Sequence, residues 1–352
     1  MDETFKYIGS DDGSADYEHE IYGSVNNYWA GTLPAVEKNM LDLSTNHKAG
    51  GNDNDEIKSL EWIVIHDTAG SGSTSTARAN SGWCTNPQNN PDTSASSWHY
   101  TIGNDGIFQQ MEENIIAWHA GDGTSWATAD VNYSTTWHDT GVAYAGDRPT
   151  VTCGNDGYFY INGTKSLVQY PTKEGVTPHI NTVGLICVKG ENGNYKIPTT
   201  WVSSGYGNAI CARGGNVNGI GIETAVNMGS DVYLTWQYTA KFVAGILVRH
   251  NIGADRVFFH NNFSNKKCPN TMITAGLVDT FLKLVYAEYE VAKNYSDYTI
   301  AFTSNNPEII DNTGRVVKVP DYTTNVSYTI TVTKGGESQS VTLNSLVIGK
   351  YN

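Results

Sequence analysis

EWIVIHDTAG, residues 61–70, sets four apolar side chains in a row and closes them on a histidine, an aspartate and a glycine-containing turn. The apolar run, Trp62 to Ile65, is too short for a buried helix and is bounded by turn signals, so it reads as a strand covered on both faces. His66 then stands at the strand's C-terminal end, where a side chain points into a cleft. NVNGIGIETAVN (216–227) is a second strand of this kind. It carries Glu223 among Gly, Ile and Ala, where an ionised carboxylate does not sit without a reason.

The flanking segments repeat the pattern. SSWHYTIGNDGIFQQM (96–111) predicts a hairpin turning at Asn104-Asp105-Gly106. TWQYTAKFVAGILVRHNIGADRVFFH (235–260) predicts a helix capped by Thr235 and stopped at Gly253, followed by a strand ending at His260. A last helix is expected from about Thr271 to Lys293, with Leu277, Phe281, Leu284, Val285 and Glu288 on one face. The fold class that follows is α/β: a mixed central β-sheet flanked by helices.

Two regions interrupt it. Residues 121–215 are rich in Gly, Asn, Thr and Tyr, with turns at 155–157, 162–164 and 191–194, and read as a β-rich insertion. From about 295 onward, Thr- and Val-rich strands alternate with Pro and Gly turns, as in a small all-β module similar to the last strands of a bacterial immunoglobulin-like domain. The expected division is an N-terminal extension over 1–55, a main domain over 56–294 and the β module over 295–352.

Composition narrows the function. Hydrophobic residues are 39% and charged ones only 16%, with 21 Tyr, a balance suited to an extracellular or carbohydrate-facing protein. The net charge of -14 argues against nucleic acid and against an anionic membrane surface, both of which call for clustered Lys and Arg. No apolar stretch reaches the ~18 residues of a membrane span, and the first twenty residues lack the basic and apolar regions of an export signal. Five cysteines fit no framework spacing: Cys84, Cys153, Cys187 and Cys211 are open to bridging in an exported protein, whereas Cys268 sits in a cationic neighbourhood that favours a thiolate.

FFHNNFSNKKCPNTM (258–272) brings His260 and Cys268 into one short stretch. With His66 they make two imidazoles and a thiolate, enough to hold Zn²⁺ tetrahedrally with one position open, which is the catalytic arrangement. Chemistry at such a site also needs a carboxylate to move protons and a cation to meet a developing oxyanion, roles open to Glu223 and Lys266.

WIVIHDTAG, WHYTIGNDGIFQQM, AWHAGDG, GIGIETAVN and FFHNNFSNKKCPNTM occur in one order, and in this order the chain resembles the zinc-dependent N-acetylmuramoyl-L-alanine amidases of the second family, the group of phage lysins and peptidoglycan recognition proteins. The likeness covers roughly residues 55–290 without the insertion. It implies the amidase-like α/β fold, one zinc ion on His66, His260 and Cys268, Glu223 and Lys266 as catalytic residues, and Trp98, His99, Trp118 and His119 along the substrate groove. It further implies bacterial peptidoglycan as partner, hydrolysis of the bond between N-acetylmuramic acid and L-alanine, and an extracellular or cell-wall location. A tyrosine that some members carry in the hairpin motif is here Trp98, which gives Glu223 more of the work. The other class of function is a non-catalytic peptidoglycan-binding protein, since recognition members of the group lose the metal; Cys268 is the discriminating residue. The sequence sets no oligomeric state.

Each residue also has a plainer reading. A lone histidine at a strand end commonly bonds backbone, and Glu223 has Arg249, Arg256 and Lys266 as candidate ion-pair partners. Lys266, like Lys267, is open to a solvated loop position. His99 is as easily buried by strand alternation as turned to a groove, and Trp98 and Trp118 are open to filling core volume instead of stacking on sugars.

Overall fold

The computed structural model describes residues 32–43, 56–120 without 58–59, 71 and 92–95, 137–170 without 147–148, 187–197, and 215–350 without 265, 313, 315 and 348, together with short strands at 2–8, 18–24, 178–179, 201–203 and 209–211. Much of the expected N-terminal extension and part of the insertion lie outside these residues.

A six-stranded mixed sheet forms the centre, in the order Val257–Phe259, Trp62–Asp67, Gly219–Thr224, Tyr100–Gly103, Gly106–Gln109 and Val36–Lys38. The first four strands are parallel. The next is the return arm of the expected hairpin, antiparallel across a turn in which Gly106 takes φ +147°, and the last runs parallel to that arm.

Alternation along Trp62–Asp67 explains why this strand is apolar throughout. Ile63 and Ile65 join Ile220, Ile222, Trp236, Phe242, Phe281 and Leu284 in one cluster, under the helices Val232–Arg249 and Val278–Asn294. Trp62 and Val64 join Phe258 and Phe263 with Val142, Phe159, Ile161, Tyr195 and Ile197 of the insertion in a second cluster. The insertion therefore covers the opposite face of the sheet. It is β-rich as expected: two three-stranded antiparallel sheets are built from strands within 138–143, 151–169 and 188–197, and a third consists of very short strands. The 162–164 turn is a two-residue hairpin connection with Asn162 and Gly163 both at positive φ.

Two helix boundaries differ from expectation. Asp231, not Thr235, caps the 232–249 helix, its Oδ1 accepting the Leu234 N–H at 2.9 Å. Both are cap-forming types, and the earlier one wins because Thr235 lies buried in the first turn, where its hydroxyl donates back to the Asp231 carbonyl. The last helix is two helices, Asn270–Thr274 and Val278–Asn294. Gly276 at φ +70° breaks them apart, and Pro269 stands at the N-cap of the first.

The C-terminal region is one three-stranded antiparallel sheet of Thr299–Ser304, Thr324–Lys334 and Glu337–Val347, with its own small core of Ile310, Val326 and Val347. Cys84, Cys153, Cys187 and Cys268 are free thiols, and the side chain of Cys211 lies outside the described residues. Among the described residues no helix is long and apolar enough to cross a membrane.

Candidate metal centre

Register brings the site together. In the parallel pair Glu223 lies opposite His66, and Phe259 lies opposite Ile65, so His260 follows at the level of His66. Three strands thus deliver His66, Glu223 and His260 to the carboxyl end of the sheet, where open α/β sheets place their ligands. Cys268 reaches the same point from the loop after the short helix His260–Ser264. Asn261 ties that loop down: its N–H donates to the Cys268 carbonyl at 2.9 Å, and its side-chain amide donates to the Lys266 carbonyl at 2.9 Å.

The ligand atoms of His66, His260 and Cys268 all lie within 4.8 Å of one another, and all three residues are buried. The two Nδ1 atoms of His66 and His260 are 3.0 Å apart, and Cys268 Sγ is 3.9 Å from His66 Nδ1. Two imidazole nitrogens that close, with a thiol beside them, match the donor set that zinc takes. Burial, with electrostatic coupling to His260, His119 and Lys266 adding to it, holds His66 well below the ordinary histidine range. Burial and Lys266 lower His260 to about 3. Both rings are therefore neutral at neutral pH and offer lone pairs. Burial, and then the charges of Asp67 and Glu223, push the Cys268 thiol well up; a divalent cation reverses this, since a coordinating thiol is deprotonated.

Glu223 approaches at 3.9 Å from His66 Nδ1 and keeps a little exposure. Two of its candidate partners are engaged elsewhere, Arg249 with Glu113 and Arg256 with Asp255 and Glu61. Lys266 is half-buried and acts electrostatically on all three ligand candidates, whereas Lys267 is exposed.

The four expected groove residues take different positions. Trp98 is buried, donates its indole N–H to Thr101 Oγ1 at 2.7 Å, and stacks at 6.2 Å on Trp83, which is 43% exposed. Trp118 is half-buried; its carbonyl accepts the Ser97 N–H at 2.9 Å and its own N–H donates to the Ser97 hydroxyl at 2.8 Å. His99 is fully buried: its Nδ1 accepts the Gly221 N–H at 2.9 Å and its Nε2 donates to the Ile115 carbonyl at 2.8 Å. Both ring nitrogens are thus committed to backbone. His119 is buried against His66, its Nδ1 lying 3.1 Å from His66 Nε2.

Two supporting residues escape a sequence reading. Asp67 Oδ2 accepts the Thr271 N–H at 2.8 Å, fixing the turn that follows Cys268. Asn216 Oδ1 accepts the N–H groups of both His119 and Ala120, at 2.8 and 2.7 Å. For Asp67 the available signal was a carboxylate closing an apolar strand. For Asn216 there was none, because its partners lie 96 and 97 residues away.

The family model described as N-acetylmuramoyl-L-alanine amidase matches residues 56–271, more than half of the chain. Two similar proteins are from Bacillus subtilis (strain 168). N-acetylmuramoyl-L-alanine amidase CwlH is 26% identical over 93 residues, 26% of this chain and 33% of that protein. N-acetylmuramoyl-L-alanine amidase XlyA is 37% identical over 62 residues, 18% of this chain and 19% of that protein. The matched segments thus span a third or less of these relatives' length. Among solved structures, the catalytic domain of XlyA aligns with a TM-score of 0.40 at 18% identity, covering 71% of this chain and 99% of that one. The Staphylococcus aureus hydrolase AmiA, in complex with its ligand, aligns with a TM-score of 0.40 at 13% identity, covering 76% and 91%.

Proposed function

This chain belongs to the N-acetylmuramoyl-L-alanine amidase family, and from that premise we propose that it is a zinc-dependent peptidoglycan hydrolase, cutting the amide between the lactyl group of N-acetylmuramic acid and the L-alanine of the stem peptide. The observation that carries the reading is the convergence of His66 Nδ1, His260 Nδ1 and Cys268 Sγ within 4.8 Å, with Glu223 beside them. These three residues would hold one zinc ion, which when bound supplies Lewis acidity and a water acidic enough to react at neutral pH.

The chain's own groups have the remaining work. Glu223, 3.9 Å from His66 Nδ1 and partly exposed, is placed to take the proton of the attacking water and return it to the leaving amine nitrogen. Lys266 carries the positive charge that offsets the negative charge developing on the carbonyl oxygen. The insertion and the helices close both faces of the sheet, so access is from the carboxyl ends of the strands. Trp118, half-buried, is the groove aromatic in this reading, whereas Trp98 fills core volume with Leu41, Cys84 and Met111. The substrate places the protein at the bacterial cell wall. The 295–352 region is an appended immunoglobulin-like module attaching to or spacing from the wall, since among its described residues no His, Cys or carboxylate cluster forms.

Mass spectrometry of purified peptidoglycan digested by the full chain tests the reading. Stem peptides released with a free L-alanine amino terminus are expected, dependent on zinc. Intact glycan-peptide linkages after exhaustive digestion would refute it and favour the non-catalytic binding protein.

A further inference from the structure

We propose that His119 is a positioning residue for the metal centre: its Nδ1 accepts the Nε2–H of His66 and so holds His66 in the tautomer whose bare Nδ1 faces His260 and Cys268. The inference rests on the zinc reading above and adds a residue that works through His66.

A neutral imidazole has one proton for two nitrogens. His66 makes a contact at each: Nε2 with His119 Nδ1 at 3.1 Å, and Nδ1 with His260 Nδ1 at 3.0 Å. If the proton sits on Nδ1, His66 offers the cluster a donor and no lone pair. If it sits on Nε2, the cluster receives the lone pair a cation needs. An acceptor fixed at position 119 selects the second state. Metal-binding histidines ordinarily give their other N–H to a carboxylate, carbonyl or water; here an imidazole stands in that place.

The surroundings are built to hold that ring. Asn216, itself buried, accepts the N–H groups of His119 and Ala120 with one oxygen and so pins the dipeptide. The rings of His66 and His119 meet edge to face at 5.2 Å and 81°. Gly221 leaves the space beneath: a Cβ there would lie 2.7 Å from the His119 Cγ. His119 Nε2 is buried with no hydrogen-bond partner, so the polar contact of the ring is the one that Nδ1 makes to His66.

The test measures zinc affinity by chelator competition on the full chain in wild type, His119→Phe and His119→Gln, with the thermal midpoint of each metal-free protein recorded alongside. His119→Phe fills the space but accepts nothing, and is expected to bind zinc about 10- to 100-fold more weakly with the metal-free midpoint unchanged. His119→Gln restores an acceptor and recovers most of the affinity. Wild-type zinc affinity in His119→Phe overturns the proposal. Imidazole ¹⁵N shifts of metal-free wild type keep the question decidable should the variants fail to fold: a proton on His66 Nε2 supports the proposal and a proton on Nδ1 overturns it. A wild-type chain that takes up no zinc would sink the metal reading itself, an outcome separate from either.

Discussion

Acid should cost this protein stability through His99, and the amount follows from the hydrogen bonds of one ring. Its Nδ1 accepts the Gly221 N–H and its Nε2 donates to the Ile115 carbonyl, in full burial. Protonating Nδ1 would set two N–H groups against each other at 2.9 Å with no water to separate them. Burial accordingly lowers His99 from 6.5 to about 4, with the Ile115 carbonyl and Glu113 pulling weakly the other way. Between those two values the unfolded chain binds a proton that the folded chain refuses, so stability falls as pH drops through this window and levels off below it. At about 1.4 kcal/mol per pH unit, the full window is worth about 3 kcal/mol, and the part between pH 7 and pH 5 about 2 kcal/mol. The assay is urea unfolding followed by tryptophan fluorescence, in chelator, at pH 7 and pH 5, for wild type and His99→Gln. Glutamine keeps one acceptor and one donor but does not titrate. His66 and His260 titrate in both proteins and cancel in the difference, whereas His119, lowered in part by the charge of His99 with ring centroids 6.0 Å apart, adds to the wild-type loss in the same direction. Wild type should lose about 2 kcal/mol more than the variant on acidification. Losses that match to within about 0.5 kcal/mol would refute the reasoning.

Four further outcomes follow from the site. Glu223→Gln should lower turnover on muropeptides by about 10²- to 10⁴-fold while zinc content by elemental analysis stays at the wild-type level; undiminished cleavage would remove Glu223 from the reaction. Cys268→Ala leaves two protein ligands, and should emerge from dialysis without zinc and without activity. Gly221→Ala drives a methyl to within 2.7 Å of the His119 ring and should cost about 1–3 kcal/mol in chemical denaturation. Truncation after Asn294 should keep hydrolysis of soluble muropeptides and lose binding to whole walls, because the C-terminal sheet has its own small core; loss of both would make the module part of the enzyme.

What the sequence discloses here depends on the range of the interaction. His66, Glu223 and His260 are legible because each ends or closes an apolar run, and parallel register then does the alignment without further instruction. Cys268 is legible from its spacing to His260. The helix beginning at Asp231 and the break at Gly276 are matters of choice among local signals of the same kind, Asp against Thr as a cap, and glycine against an apolar spacing that continues past it. The engagement of His119 with His66 is of another sort: AWHAG has no period, and its backbone is held by Asn216, 97 residues on.

The insertion shows the same limit and changes how the main domain is understood. Tyr-rich hairpins at 158–169 and 188–197 suggest an appendage. Yet Val142, Phe159, Ile161, Tyr195 and Ile197 share a cluster with Trp62, Val64 and Phe258 of the central sheet. The apolar run that opens the domain can be continuous only because something covers its second face: with helices on one side alone, Trp62 and Val64 would face water and the strand would alternate. The unbroken WIVI therefore carries information about a partner layer nearly a hundred residues further along the chain. A strand buried on both faces also leaves His66, the next residue on the Val64 side, in a dry and fixed position, and that is the condition under which neutral imidazoles and a buried thiol wait for a cation.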